Sequence, residues 1–188
     1  VDSFHVILKE YVILFYKVTH LFITFMSKKG FTLIELLVVI AIVAILAVVV
    51  FVALDPATRF QDARDAVRTS DTVEVLSSMK LDQIDNGGTY IAAVSALTNG
   101  QVYMIGTAVA GCDDQNAYCD TDVTADINCV TLAGLVTEGY LPEIPISPNG
   151  SGAWTAVTTG YTLQKDATGV ITVRACESEN TTEISSAR

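Results

Sequence analysis

The junction Lys28-Lys29-Gly30-Phe31-Thr32-Leu33-Ile34-Glu35-Leu36 opens an apolar run that decides how the rest of the chain is read. Residues 31–54 carry a single charge, Glu35. As a helix they extend roughly 36 Å at ~1.5 Å per residue. A bilayer hydrocarbon core is about 30 Å thick, so the run can cross one with some tilt. It is rich in Val and Ile, which are modest helix formers in water. Lipid offers the backbone no other hydrogen-bond partner and so enforces the helix. Asp55-Pro56 ends the run. Proline removes a backbone donor inside a helix but is tolerated in a first turn. Pro56 therefore either bends one long helix or restarts it, with Asp55 as the N-cap.

Charge is distributed unevenly around this segment. The chain has 188 residues, a net charge of −10 and a mean hydropathy of +0.44. Counted from Phe31 onward, 7 Lys and Arg face 19 Asp and Glu, a net charge of −12. Lys28 and Lys29 sit directly before the span, and basic flanks stay on the cytoplasmic side. The N-terminal flank is thus expected inside and the acidic remainder outside. That acidity excludes the basic face that nucleic-acid binding requires.

Residues 1–30 read as a leader. Residues 1–25 are apolar and aromatic, but His5, Lys9, Glu10, Lys17 and His20 interrupt them, so no run is long enough to span a membrane. Met26 is the expected start, with residues 1–25 as upstream reading frame and residues 26–30 as the working leader.

Residues 55–86 form the next expected element, an amphipathic helix. Phe60, Ala63, Val67, Val73, Leu76 and Met79 follow three- and four-residue spacing and predict its packed stripe. Asn86-Gly87-Gly88 is a helix stop. Residues 87–188 predict a small head of short strands: 90–94, 102–107, 154–157, 161–165 and 170–175, with a helix over 129–137. The last two strands form a hairpin about Asp166-Ala167-Thr168-Gly169. Residues 177–188 are expected to fray. The fold class is α+β: a long N-terminal helix whose second half packs on a small antiparallel sheet.

The junction resembles the signal of type IV prepilins and of the pseudopilins of type II secretion. The resemblance rests on a short basic leader, Gly30 before the cut, Phe31 after it, and Glu35 as the fifth residue of the cut chain. It is tight over residues 28–54 and architectural over residues 86–188. It implies cleavage after Gly30 by a membrane prepilin peptidase and methylation of the Phe31 amine. It also implies pairing of Glu35 with that amine on a neighbouring copy. The partners implied are other copies of the chain, the peptidase, the assembly machinery and, before assembly, membrane lipid. The function implied is a filament subunit of a pilus, or alternatively of a secretion pseudopilus. A membrane-anchored calcium- or ligand-binding module that never polymerises is the third reading. Two departures stand out. Many members have a proline near the end of the membrane segment, where this chain has Val52 and only later Pro56. The stretch from Tyr140-Leu141-Pro142 to Pro148-Asn149-Gly150 is similar to one in major pseudopilins, with Ser147 in place of their aspartate.

Cys112, Cys119, Cys129 and Cys176 all fall in the part expected outside, where disulfides form. Four cysteines allow three pairings; the favoured expectation is Cys112 with Cys119 and Cys129 with Cys176. Asp113, Asp114, Asp120, Asp122 and Asp126 crowd one loop, which suits calcium in chemical type. The glycine and closing glutamate of an EF-hand are missing, so a solvated loop is the main expectation and no cofactor is required. Both histidines precede Gly30, so histidine-based nucleophile pairs are excluded from the cut chain. No catalytic residue is expected.

Overall fold

A computed structural model describes residues 30–188, in two units that meet between Leu54 and Asp55. The expectations for residues 1–25, Met26, Lys28 and Lys29 lie outside the described residues. The first described element, α1 (Leu33–Leu54), is a 22-residue helix with no buried residue. It is long and apolar enough to cross a membrane.

The helix does not run on through Asp55-Pro56. Asp55 adopts a left-handed backbone conformation (φ 37°, ψ 69°), and α2 (Pro56–Asp85) begins at the proline. A non-glycine residue at positive φ is uncommon, with Asp among the tolerated types. Asp55 holds the N-cap position, but its carboxylate accepts from the Thr58 hydroxyl at 2.7 Å rather than from a backbone amide. Of the two sequence options, the restart is the one adopted.

The second unit is an α+β head. After α2 come the short α3 (Ala92–Ser95), β1 (Val102–Met104), α4 (Ala133–Thr137), β2 (Tyr161–Lys165), β3 (Ile171–Ala175) and β4 (Ser185–Ala187). The four strands form one antiparallel sheet in the order β1-β2-β3-β4. Asp166 to Gly169 turn the chain between β2 and β3. The Asp166 carboxylate accepts from the Thr168 and Val170 amides and sits below its ordinary pKa, chiefly through the Thr168 hydroxyl. Gly169 at φ 87° closes that turn.

Alternation along the strands separates two cores. Tyr161, Leu163, Ile171 and Val173 face Val75, Leu76 and Met79 of α2, with Leu132, Leu135 and Leu141 filling the layer. Met104, Cys112, Val123, Cys129, Trp154 and Cys176 make a second, smaller cluster.

Four expectations are corrected. Phe60, Ala63, Val67 and Val73 are exposed, not packed. The buried line of α2 instead runs Asp65, Arg68, Thr72, Leu76, Met79. Its N-terminal half is therefore polar, and an apolar period there points to the wrong face. Residues 90–94 form no strand, because Ala92–Ser95 closes into a helical turn. Residues 154–157 are irregular, since Trp154 is fixed by side chains: its amide donates to Asn149 Oδ1 and its indole to Glu177 Oε2. The tail does not fray. Ile184 is buried, and β4 pairs with β3 through Val173↔Ser186 and its neighbours.

Arg68 explains the polar half of α2. Its side chain is fully buried. The guanidinium donates to Asp65 Oδ1 at 2.8 Å, Glu179 Oε1 at 2.8 Å, Ser147 Oγ at 3.1 Å and the Pro148 carbonyl at 3.0 Å. Glu177 Oε2 lies 3.3 Å away. Asp65 in turn accepts from the backbone amides of Glu179 and Asn180. Arg64 grips Glu179 from outside through both Nε and Nη2. A buried charge is tolerated when it is paired and its hydrogen bonds are met, and here both hold. Glu179 is accordingly pulled down to about 2, by Arg64 first and then Arg68, against the opposing effect of burial. Ser147, the departure from the pseudopilin-like stretch, is thus a buried acceptor for Arg68.

Candidate functional site

Gly30 and Phe31 are exposed, and a Cβ added at Gly30 would meet no described atom within 4 Å. Lys28 and Lys29 lie outside the described residues.

Thr32 precedes the first residue of α1, and Glu35 is the third helical residue. The Thr32 amide donates to Glu35 Oε2 at 2.8 Å and the Thr32 hydroxyl to the same oxygen at 2.9 Å. The Glu35 amide returns a bond to Thr32 Oγ1 at 3.3 Å. This is a capping box, in which two otherwise orphaned helix-end amides are satisfied by two side chains. The negative carboxylate also lies at the positive end of the helix dipole. The glutamate therefore has a local role that the sequence reading overlooked, although the pattern Thr-x-x-Glu before an apolar run announces it. One carboxylate oxygen is committed to the cap.

Beyond Glu35, α1 offers only hydrocarbon. Leu36, Leu37, Ile40, Val43, Val48 and Phe51 are all exposed. In water such a surface is a large unfavourable term, at roughly 25 cal/mol per Å² of apolar area. It demands lipid or other helices.

The four cysteines form two disulfides, but not in the favoured pairing. The bonds are Cys112–Cys129 and Cys119–Cys176, with Cα–Cα distances of 5.6 and 4.1 Å. Nearness in sequence misled, because the backbone sets the partners. The Cys112 amide bonds the Asp126 carbonyl and the Cys129 amide the Ala108 carbonyl, which lays two segments side by side. The Asp120 amide bonds the Cys176 carbonyl at 2.6 Å, which brings Cys119 to the end of β3.

The five loop aspartates are divided among different partners. Asp113 sits against Asp126, whose hydrogen bond and like charge push the Asp113 carboxyl up. Asp126 also accepts from the Gly111 amide, and Gly111 lies close beneath Asp114. Asp120 accepts from the Ser178 hydroxyl and is raised mainly by burial. Asp122 is exposed. Among the described residues, no three His, Cys, Asp or Glu side chains gather as a metal would need.

No curated protein and no solved structure matches the chain. A family model does: the prokaryotic N-terminal methylation motif, over residues 25–51. That match covers the leader junction, the Thr32–Glu35 cap and most of α1. The chain therefore carries the prepilin-type signal of type IV pilins and pseudopilins.

Proposed function

We propose that this chain is the structural subunit of a type IV pilus-like filament. It is made as a membrane-inserted precursor, cut after Gly30, methylated on the Phe31 amine, and assembled through α1. The carrying observation is the methylation motif running directly into a helix with no buried residue. Before assembly α1 sits in lipid with the leader inside and the head outside. Two disulfides in the head favour that placement, since they persist in oxidising compartments. In the filament, Glu35 faces the Phe31 amine of a neighbouring copy. A carboxylate within a membrane segment costs around 3 kcal/mol on insertion scales, and a cationic partner offsets that.

The alternative filament is a secretion pseudopilus, favoured by the likeness around Leu141-Pro142. Electron microscopy of sheared surface material, with peptide identification, separates the readings. Long filaments containing this chain, with Phe31 as its methylated first residue, support the pilus. Filaments confined to the cell envelope support the pseudopilus. Recovery only as a membrane-bound monomer overturns both.

A further inference from the structure

The two edges of the sheet differ. Along β1 the Thr124 and Ala125 amides donate to the Val102 carbonyl, and Val130 bridges Ile105 in parallel. Along β4 the register leaves backbone groups over. Ile171 and Arg188 exchange amide–carbonyl bonds, and the Ala175 amide bonds the Ile184 carbonyl. Antiparallel ladders alternate, so Ile184, Ser186 and Arg188 turn their backbone groups inward to β3, while Ser185 and Ala187 turn theirs outward. Among the described residues those outward N–H and C=O groups have no partner. Beside this edge runs a groove of about 210 Å³, lined by Val73, Leu76 and Ser77 of α2 and by Ser186, Ala187 and Arg188. Leu76 is buried, whereas Val73 is left half exposed.

We propose that β4 and α2 form a docking groove for an extended segment of a different protein, one with an aliphatic side chain and a carboxylate two residues apart. An unpaired strand edge accepts another strand through main-chain bonds, and side-chain pockets beside it supply selectivity. Ser185 and Ala187 offer the main-chain groups. Side chains of an added strand alternate, so every second one faces α2. One branched side chain fills the groove against Val73 and Leu76, and the next on that face, about 7 Å along, meets Arg188. Arg188 is exposed and makes no ion pair among the described residues. Lys80 adds positive charge at the same end of the sheet. It bonds Tyr90, whose hydroxyl bonds the carbonyl of Gly169, two residues before the Ile171 that pairs with Arg188. A second copy does not supply the segment. Val109, Ile127, Ile146, Val157 and Val170 are the exposed large aliphatic residues of the head outside its helices, and none has Asp or Glu two positions away. Docking here is independent of whether the chain polymerises.

The test titrates the full chain, in detergent micelles, into a fluorescein-labelled peptide of sequence Ser-Thr-Val-Thr-Glu-Thr and follows anisotropy. Saturable binding is expected, and at saturation the Ser185 and Ala187 amides exchange with solvent about tenfold more slowly. Lysine in place of the peptide's glutamate, or Arg188→Gln in the chain, weakens binding about two- to fivefold, the worth of one partly exposed ion pair. Ala187→Pro removes an outward amide at an edge position, where proline is tolerated. It is expected to weaken binding about tenfold or more with an unchanged melting midpoint. Should that variant melt early, the Arg188→Gln and peptide comparisons decide alone. No binding at about 1 mM peptide overturns the proposal. Equal binding of the glutamate and lysine peptides overturns it as well, as does wild-type affinity in a folded Ala187→Pro. Protection of Ser185 and Ala187 that grows with protein concentration in the absence of peptide would place a second copy on the edge and reject the foreign partner.

Discussion

Thr32 and Glu35 hold each other across the first turn of α1, with the Thr32 amide 2.8 Å from Glu35 Oε2 and the Glu35 amide 3.3 Å from Thr32 Oγ1. The glutamate thus caps its own helix, and in the filament proposed above it also carries a charge toward a second chain. Glutamine can cap as glutamate does but bears no charge. Glu35→Gln is expected to insert and be cut normally, yet to assemble as poorly as Glu35→Ala. Filament counts by electron microscopy, beside fractionation of the membrane pool, give the answer. Wild-type numbers from Glu35→Gln would remove the charge pair from the assembly account.

Arg68 is the most committed side chain in the head. Arg68→Ala leaves Asp65 and Glu177 crowded and without their cation, while Glu179 keeps Arg64. A loss of about 3–5 kcal/mol is expected, the usual penalty for breaking a buried ion pair from one side. Denaturant unfolding of the full chain in detergent measures it. A change below about 1 kcal/mol would mean that water reaches the cluster and screens it.

Acid should act on the same cluster from the other side. Glu179 is depressed from 4.5 to about 2 in the folded head. A carboxylate lowered on folding contributes stability that is complete above its unfolded value and disappears as pH falls through its folded one. The contribution of this residue should therefore decline between about pH 4.5 and pH 2, and Glu179→Gln should flatten that part of the profile. Thermal melts at stepped pH, wild type against variant, show whether the two curves converge at the acid end.

The disulfide partners can be read directly. Non-reducing digestion followed by mass spectrometry should release one peptide pair joining Cys112 to Cys129 and another joining Cys119 to Cys176. A peptide pair joining Cys112 to Cys119 would reject the arrangement.

Gly160 tests the packing of the second cluster. It sits at φ 78°, and a Cβ there would lie 2.5 Å from the Trp154 ring and 2.8 Å from the Ser147 Cβ. Gly160→Ala combines backbone strain with overpacking, and a loss of about 1–3 kcal/mol is expected. An unchanged unfolding midpoint would contradict the close approach.

What could be read from the sequence followed how local the physics was. The apolar run, its proline boundary, the Asn86 stop and the Asp166 turn each depend on neighbouring residues, and each is present. The junction was legible for the same reason, as a compact pattern of residue types. The buried face of α2 was not legible, because Arg68 and Asp65 look like solvent-facing residues until Glu177 and Glu179 arrive from over a hundred positions away. The tail misled in the same way: its polar composition hides a strand whose partner is β3 and whose anchor is Ile184. The cysteine partners depended on backbone pairings between distant segments, which spacing does not encode. The Thr32–Glu35 cap is legible in the same way as the junction, as Thr-x-x-Glu before an apolar run.

Asp55 marks a boundary between two kinds of constraint. Every residue in both hydrophobic clusters lies after it, and α1 before it buries nothing. Substitutions on the two sides therefore answer to different judges: hydrophobicity and helix contact before Asp55, jigsaw fit after it. A lineage could replace the entire head while keeping residues 31–54, or tune those residues without disturbing the head. The membrane-capable helix and the packed head of this chain are free to evolve at different speeds.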